Sequence, residues 1–596
     1  MEPKARKRVA LLTLAVAAMA AGISARLYQL GIERSVLFQD QARRQHERRI
    51  EVWGRRGSIV DRHGRELAVS VASSSLFAHP HRVADPESAA SLLAPVLGMK
   101  RSRVLDKLRS DEPFVWIQRR LDSRVANAVR QLDLPVGHAE PFGFETEAKR
   151  YYPRGELAIH VVGFADIDQT GIEGIERSLD ELLRGDPTGY LAVRDGRGAS
   201  VLKLVQPPAR QPKDVVLTLD LVLQHIVERE LDRAMRETGA RWSSAVLLDP
   251  TSGAILAMAN RPNPDPRRYG RSNLACRRNL AVTDTFEPGS TFKIVTAAAA
   301  LDTGRIHPEQ RFDCGNGSIR VGGQTIRDHH PFGVLSVREI LEKSSNVGMV
   351  RVSRFLAPET LESYIRSFGF GEKTGVELPG ESDGLFAKHS EWSGRSAASL
   401  SFGHEITATP LQMAVAFATV ANDGVTIPPR IILGTRSADG TLERSEPPEP
   451  RRVISSSTAH TLASILEGVI GRGTGGAAAV PGYRIAGKTG TAQKVIDGRY
   501  SDSLYVASFG GFGSVRSPRL AGIVVLDSPR GKSHTGGAVA APVFGRIMAD
   551  ALAYLRVPPD EDPLDLHAAE LASGTSRSAY QEIRDRVASD TSGVRR

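Results

Sequence analysis

Cysteine is nearly absent from the chain: 596 residues contain two, Cys276 and Cys314. Neither stands in a Cys-x-x-Cys or Cys/His spacing, which excludes a structural zinc site and a disulfide scaffold of the small secreted kind. Whether the two pair with each other depends on a Cα separation that sequence does not supply. No Gly-x-x-x-x-Gly-Lys-Ser/Thr loop is present, so no phosphate cradle of the P-loop type is expected. The net charge of +10 invites a nucleic-acid reading. No helix-turn-helix, zinc-finger or aromatic-basic RNA-binding signature accompanies that charge, and no nucleic-acid partner is expected. Asp328-His329-His330 is the nearest approach to a metal motif but lacks a third ligand at plausible spacing, so neither metal nor cofactor is expected. Internal repeats and collagenous or prion-like bias are absent, and an apolar fraction of 41% is too high for general disorder.

What is present begins at the N-terminus. After Lys4, Arg6, Lys7 and Arg8, residues Val9 to Leu30 are apolar except for Arg26 and Gln29 and a few small residues. That is long enough to cross a hydrocarbon core of about 30 Å if Arg26 snorkels. A cleaved signal peptide is the alternative, because Ala18-Met19-Ala20 resembles a cleavage site. Arg34, Arg43 and Arg44 weaken the positive-inside contrast, but long domains translocate largely regardless of flanking charge, which favours a short cytoplasmic tail and an external bulk. Length alone asks for two to four domains at about 150 residues each.

Residues 47–71 alternate around Asp61-Arg62-His63-Gly64 as a hairpin does. Gln206-Pro207-Pro208 through Pro212 reads as a break. Beyond it come a helix near 217–237, a strand-turn-strand pair around Asp249 to Gly253, a mostly helical stretch from Ser290 to Val420, three strands near the far end and a closing helix, Ala541 to Leu555. Strands from both ends of a domain with helices between them make an α+β pattern. The divisions expected are a tail at 1–8, a transmembrane helix at 9–30, an N-terminal pedestal at 45–207, a catalytic domain at 215–556 and a polar tail at 557–596.

Within the second region, Ser290-Thr291-Phe292-Lys293 follows a Pro-Gly turn and opens an alanine-rich run, so a hydroxyl and an amine share one face of a helical turn. By itself the pattern is weak, since Ser290 as a cap and Lys293 as a solvated side chain would look the same. Ser200 to Lys203 has the same spelling without a helix to open. Ser344-Ser345-Asn346 is a second element and Lys-Thr-Gly a third. The latter occurs at Lys373 in a loop-like context and at Lys488-Thr489-Gly490-Thr491 after a strand-like approach, and the later copy is preferred. An alcohol needs a base to become a nucleophile. Lys293 serves only if unprotonated, a state that burial and a second cation at Lys488 both favour.

The ordered set of Ser-x-x-Lys, Ser-x-Asn and Lys-Thr-Gly resembles that of penicillin-binding proteins and serine β-lactamases. Along most of its length the chain resembles class B penicillin-binding proteins of the division type. The likeness rests on Arg56 to Gly64 with Leu67-Ala68, Arg150-Tyr151-Tyr152-Pro153, Gly171 to Glu176, Phe286 to Ser290, Ser401-Phe402-Gly403-His404 and the run Gly537 to Phe544. Where this chain has His63 and His404, that family more often has Asn and Tyr.

The resemblance implies a penicillin-binding-protein transpeptidase fold, an antiparallel sheet with helices on both sides, behind a membrane helix and an elongated pedestal. It implies a peptidoglycan D,D-transpeptidase acting through a serine acyl-enzyme. Ser290 would be the nucleophile, Lys293 its base, Ser344 the proton relay and Lys488 the cation that meets the terminal carboxylate. Asn346, Thr489, Gly490 and Thr491 would bind substrate, with the backbone N–H groups of Ser290 and Thr491 as oxyanion donors. Implied partners are peptidoglycan stem peptides, β-lactams as inhibitors, and inner-membrane division proteins including a SEDS-family glycosyltransferase. The implied location is the bacterial inner membrane, single-pass, with the bulk periplasmic. Side-wall synthesis, β-lactam hydrolysis and a catalytically silent scaffold are the alternatives.

Overall fold

The computed structural model describes residues 3–33, 47–135, 140–194, 200–206, 210–265 and 272–560. The basic residues Arg34, Arg43 and Arg44 and the polar tail from residue 561 onward lie outside the described residues. The chain forms two compact units, Met1–Arg55 with Arg184–Pro212, and Arg56–Leu183 with Lys213–Arg596. The first holds a helix, Pro3–Tyr28, continued by a π-helical turn, Gln29–Glu33. Its apolar stretch of 24 residues, Val9–Ile32, is solvent-facing throughout. At 1.5 Å per residue it spans about 36 Å, enough to cross a bilayer. The same unit contains an antiparallel sheet of strands Glu47–Val52, Thr188–Arg194 and Ser200–Gln206, in that spatial order. Ser200 therefore begins a strand and not a helix.

In the second unit the hairpin expected over residues 47–71 forms only around its turn, from Ile59–Val60 and Glu66–Ala78, because Glu47–Val52 pairs instead with Thr188–Arg194. Asp61 turns it, its carboxylate accepting from His63 N (2.9 Å) and Arg65 N (2.8 Å), as an Asx turn does. The long strand Glu66–Ala78 pairs with Phe142–Tyr151 and, near its end, with Val115–Leu121. Helices Pro86–Leu97, Arg101–Leu108 and Ser123–Arg130 bury Leu93, Leu97, Val104, Leu108 and Val129 with this sheet.

Three of the sequence stretches that marked this region meet in one buried ion cluster. Arg56 Nε donates to Glu176 Oε2 (2.7 Å) and Arg150 Nε to Glu176 Oε1 (2.6 Å). Arg56 also reaches Asp180 Oδ1 (2.6 Å), and Arg150 reaches Gly57 O (2.7 Å). Glu176 and Arg56 are fully buried, so each charge depends on the others for its solvation.

The domain that follows is built on a five-stranded antiparallel sheet. Its elements are α1 (Leu221–Thr238), β1 (Trp242–Leu248), β2 (Ile255–Arg261), α2 (Lys293–Asp302), α3 (Val337–Glu342), α4 (Asn346–Ser353), α5 (Pro410–Ala421), α6 (Ser456–Gly471), β3 (Ile485–Ile496), β4 (Arg499–Gly513), β5 (Leu520–Asp527) and α7 (Ala541–Tyr554). The strand order is β2-β1-β5-β4-β3, which leaves β3 at an edge. Alternate residues of the central strands sort into two cores: Val246, Leu248, Ile523 and Val525 join the one that holds α2 and α5. Ala245, Leu247, Val524 and Leu526 join the one that holds α1 and α7. A strand covered on both faces reads as a continuous apolar run, which is why Leu520–Asp527 shows no alternation. The fold is thus α+β, an antiparallel sheet with helices on both sides, as the sequence suggested. Both cysteines are free thiols, Cys314 buried and Cys276 partly so.

Candidate active site

Ser290 lies in a short 3-10 turn, Gly289–Phe292, and α2 begins at Lys293, one turn later than the sequence suggested. In a 3-10 turn, positions i and i+3 eclipse, so the serine stands directly over the start of the lysine's helix. Lys293 is fully buried at the head of a helix whose Ala297 to Ala300 are all at 0% exposure. Its amine points at the connection between α3 and α4. Nζ donates to Ser344 O (2.7 Å) and Asn346 Oδ1 (2.8 Å), with Ser344 Oγ at 3.3 Å. The Asn346 amide is held in that orientation because its Nδ2 donates to Arg327 O (3.1 Å). Among the described residues, Ser290 Oγ has no hydrogen bond of its own; contacts of this kind often tighten only when substrate is present.

Burial first, and then the charge of Lys488, hold the Lys293 amine far below the usual lysine range, with Asp328 opposing them weakly. A neutral amine has two N–H bonds and one lone pair. Both N–H bonds are claimed by acceptors that cannot donate, a carbonyl and a fixed amide oxygen. The lone pair is left for a hydroxyl proton.

The loop carrying Ser344 has a specific geometry. Ser345 N donates to Ile340 O (2.9 Å) and Ser344 N to Leu341 O (3.3 Å), the two bonds of a Schellman ending on α3. The residue at the left-handed position of that motif is usually glycine; here it is Ser344, at φ +60°. Ser345 then caps α4, accepting from Gly348 N (2.8 Å). Asp328 seals the arrangement: Oδ2 accepts from Ser345 Oγ (2.7 Å), and Oδ1 from the backbone N–H groups of Asn346 and Val347. A carboxylate at a helix N-terminus is favoured by the exposed N–H groups and the helix dipole. The aspartate that had invited a metal reading is therefore spent on positioning the Ser344–Asn346 loop. Sequence gave no signal for this, because the capping partner lies outside the local motif.

From the other side β3 brings Lys488, also fully buried. Its Nζ donates to Ser344 Oγ (2.9 Å), Thr489 O (3.2 Å) and Thr489 Oγ1 (3.4 Å). Burial lowers its pKa to about 7. Ser344 Oγ thus lies between the two amines. Thr489 Oγ1 is 2.7 Å from Thr474 Oγ1, and Thr491 Oγ1 accepts from Gly536 N (2.9 Å). Gly490 is required for a reason other than the approach of a substrate alone. A Cβ there would meet Ser508 Oγ at 2.4 Å, Thr291 Cγ2 at 2.9 Å and Pro288 O at 3.0 Å, so the strand presses against the turn that presents Ser290. The structure therefore brings Lys293, Ser344, Asn346, Lys488 and Thr489 into one hydrogen-bonded set, with Ser290, Gly490 and Thr491 packed at its edge.

The decoys fall away. Thr374 N and Gly375 N both donate to the Glu381 carboxylate, so the earlier Lys-Thr-Gly stabilises a loop. His404 is closer to the chemistry than its sequence context suggested. Burial and then the nearby Lys293 push it down to about 4, so it is neutral at ordinary pH, and its ring lies 5.2 Å from that of Tyr500.

Comparison with known proteins gives the family. Residues 52–217 match the penicillin-binding protein dimerisation domain and residues 243–549 the penicillin-binding protein transpeptidase domain. The chain is 35% identical over 573 residues to the probable peptidoglycan D,D-transpeptidase PenA of Neisseria meningitidis, covering 95% of this chain and 96% of that one. It is 34% identical over 515 residues to the peptidoglycan D,D-transpeptidase FtsI of Escherichia coli, covering 85% and 84%. The crystal structure of penicillin binding protein 3 of Mycobacterium tuberculosis complexed with aztreonam superposes with a TM-score of 0.67 at 33% identity, over 86% of this chain and 99% of that one. With both domains matched in order and relatives aligned over nearly the whole length, the chain belongs to the class B penicillin-binding proteins.

Proposed function

We propose that this protein is a peptidoglycan D,D-transpeptidase in which Ser290 attacks the penultimate D-Ala carbonyl of a stem peptide, releases the terminal D-Ala and hands the acyl group to an amine of a neighbouring stem. The observation that carries this reading is the placement of Lys293: fully buried, its Nζ within donating distance of Ser344 O and Asn346 Oδ1, and held well below the usual lysine range by burial and by Lys488, which favours the neutral amine with a free lone pair. The lone pair accepts the Ser290 proton as the Oγ–C bond forms. Ser344 Oγ, within reach of both Lys293 and Lys488, passes a proton to the departing amine. Lys488 in its charged form meets the terminal carboxylate, assisted by the hydroxyls of Thr489 and Thr491. Asn346 holds the substrate amide, and the N–H groups of Ser290 and Thr491 receive the oxyanion. β-Lactams would acylate the same serine.

The matched segments support an anchor at 9–30, a pedestal at 45–207 and a catalytic domain at 215–556. The apolar N-terminal helix supports a single-pass anchor in the inner membrane with the bulk periplasmic. Likeness to FtsI supports septal deployment beside division proteins, a SEDS-family glycosyltransferase among them. The decisive experiment is mass spectrometry of the purified protein after exposure to a penicillin. One stable adduct on the Ser290 peptide, absent from Ser290→Ala, is expected; no adduct there, or rapid steady-state hydrolysis of the drug, refutes the transpeptidase reading. Depletion in cells should give filaments; rounded cells would indicate side-wall synthesis instead.

A further inference from the structure

The acceptor nitrogen of the second half-reaction has a defined place. In acylation the departing amine receives its proton from Ser344 Oγ, and transfer to the acceptor runs that step backwards, so the incoming amine occupies the position the leaving amine vacated. The chain borne by that nitrogen leaves the cleft past Ser344. The α3–α4 connection and the element that backs it form the wall on that side.

The backing element is a β-hairpin, strands Ser318–Val321 and Gln324–Arg327 joined by Gly322-Gly323. Both glycines have positive φ, +54° and +81°, as a two-residue turn of this kind requires. The second strand ends on the catalytic loop, where Arg327 O accepts from Asn346 Nδ2 (3.1 Å). One face of the hairpin belongs to the core: Ile319 is buried, and Val321 and Ile326 pack against the same cluster. The alternate positions Ser318, Arg320, Thr325 and Arg327 are exposed, so all four share the outer face. Ser318 stands opposite Arg327 and Arg320 opposite Thr325, which makes the two arginines diagonal neighbours about 7–8 Å apart. No acidic residue lies between Asp313 and Asp328 in the chain. Asp328 spends its carboxylate on Ser345, Asn346 and Val347. Neither guanidinium has an ion pair or a hydrogen bond among the described residues. Of the other cations nearby, Arg395, against the hairpin turn, is balanced by Glu405 at 3.4 Å. Lys343, exposed beside Ser344 with its ammonium 6.0 Å from the Phe332 ring, has Glu339 one turn earlier on α3. Arg320 and Arg327 are therefore the uncompensated pair. Like charges side by side repel, and a carboxylate held between two guanidinium groups turns that repulsion into charge-assisted hydrogen bonds.

We propose that the outer face of this hairpin, through Arg320 and Arg327, docks the acceptor stem peptide by its carboxylates. The inference rests on the transpeptidase reading above and adds the surface that receives the second strand. A peptide whose amine lies at Ser344 meets this face with residues further along its chain, since each residue of an extended strand advances about 3.4 Å. The exposed hydroxyls of Ser318 and Thr325 lie on the same face as further donors.

The test is which acceptor the acyl-enzyme prefers. The full-length protein in detergent is acylated with a thioester analogue of an N-acyl-D-Ala terminus. It is offered a stem tripeptide, L-Ala-γ-D-Glu-meso-diaminopimelate, or the same peptide with its D-Glu carboxylate amidated, and the ratio of aminolysis to hydrolysis is measured for each at low acceptor concentration. Water competes for the same acyl-enzyme in every run, so a variant that acylates slowly still reports its preference. Wild type is expected to favour the free carboxylate about fivefold, the upper end of what an exposed ion pair supplies. That preference should fade as salt rises from about 50 to about 500 mM. Arg320→Glu/Arg327→Glu should reverse it in favour of the amidated peptide, a change that a merely structural role for the hairpin would not produce. Where that double variant does not acylate, Arg320→Gln, on the strand that does not touch Asn346, should cut the preference by about half or more. A wild-type preference below about twofold, a preference unchanged in these variants, or failure of both peptides to compete with water while D-alanine does, overturns the proposal. If penicillin leaves no adduct on Ser290 of the wild-type protein, the reading beneath it fails instead.

Discussion

Ser344 occupies a backbone position that favours glycine, at φ +60°, and it does so with its hydroxyl between two buried amines. A left-handed conformation costs a non-glycine residue about 1–2 kcal/mol, and such strain is tolerated where a side chain is needed. The comparison of Ser344→Ala with Ser344→Gly separates the two contributions. Both lose the hydroxyl and should acylate penicillin at least about a hundredfold more slowly, the lower end of what proton-transfer groups supply. Glycine should nevertheless be the more stable of the two by about 1 kcal/mol in a denaturant titration. Equal stability would mean that the left-handed position is not strained. The two lysines set the pH dependence. In the proposed mechanism Lys293 acts only when neutral, and its depressed value places the acid limb well below the ordinary lysine range. In the same mechanism Lys488 acts when charged, and its charge is lost as pH rises through about 7. For a carboxylate-bearing substrate, kcat/KM, which reports the free enzyme, should therefore decline above about pH 7, whereas an analogue lacking the carboxylate should show no such limb.

At the scale of elements, the site is a junction of three: the turn into α2, the α3–α4 connection and the edge strand β3. Sequence made each fragment legible on its own. Ser-x-x-Lys, Ser-x-Asn and Lys-Thr-Gly are local spellings, and the strand-like Tyr483 to Gly487 distinguished the true third element from the copy at Lys373. It did not reveal what holds the fragments in place, because those contacts join residues far apart in the chain, as Asp328 with Ser345 and Gly536 with Thr491 do. The pedestal shows the same division. Its motif residues could be named from resemblance, but Arg56, Arg150 and Glu176 make physical sense only once they are seen to share one buried cluster. Removing the central carboxylate leaves two buried guanidinium groups short of their counter-charge, and breaking a buried pair from one side costs about 3–5 kcal/mol. Glu176→Gln should lower stability by that amount, read as a lowered denaturation midpoint for the compact unit that holds the cluster. A change below about 1 kcal/mol would show that water or Asp180 already compensates the cluster.

Across the whole molecule, the α+β class followed from where apolar runs fall and the helix-sheet-helix layering from the family resemblance, whereas the participation of strand Asp214–Leu217 in a mixed sheet with Ile59–Val60 and Ile432–Arg436 followed from neither. Short strands joined over such distances leave no periodic trace. The N-terminal helix is the clearest whole-chain signal, because its physics needs no tertiary partner. Val9, Leu11, Leu12, Leu14, Val16, Met19, Ile23 and Leu27 are each more than half exposed. At about 25 cal/mol per Å2, leaving such side chains in water costs roughly 1.5 kcal/mol or more apiece, and a bilayer removes that cost. The full chain should therefore stay with membranes through salt and alkaline washes and leave them only in detergent. A chain lacking residues 1–33 should appear in the soluble fraction, and because α2, α4 and β3 lie in the other compact unit, it should still take up one penicillin per molecule at a rate within a few-fold of the parent. Retention of the truncated chain on washed membranes would locate a second membrane-binding surface outside this helix, and loss of acylation would mean that the anchor supports the site as well as tethering it.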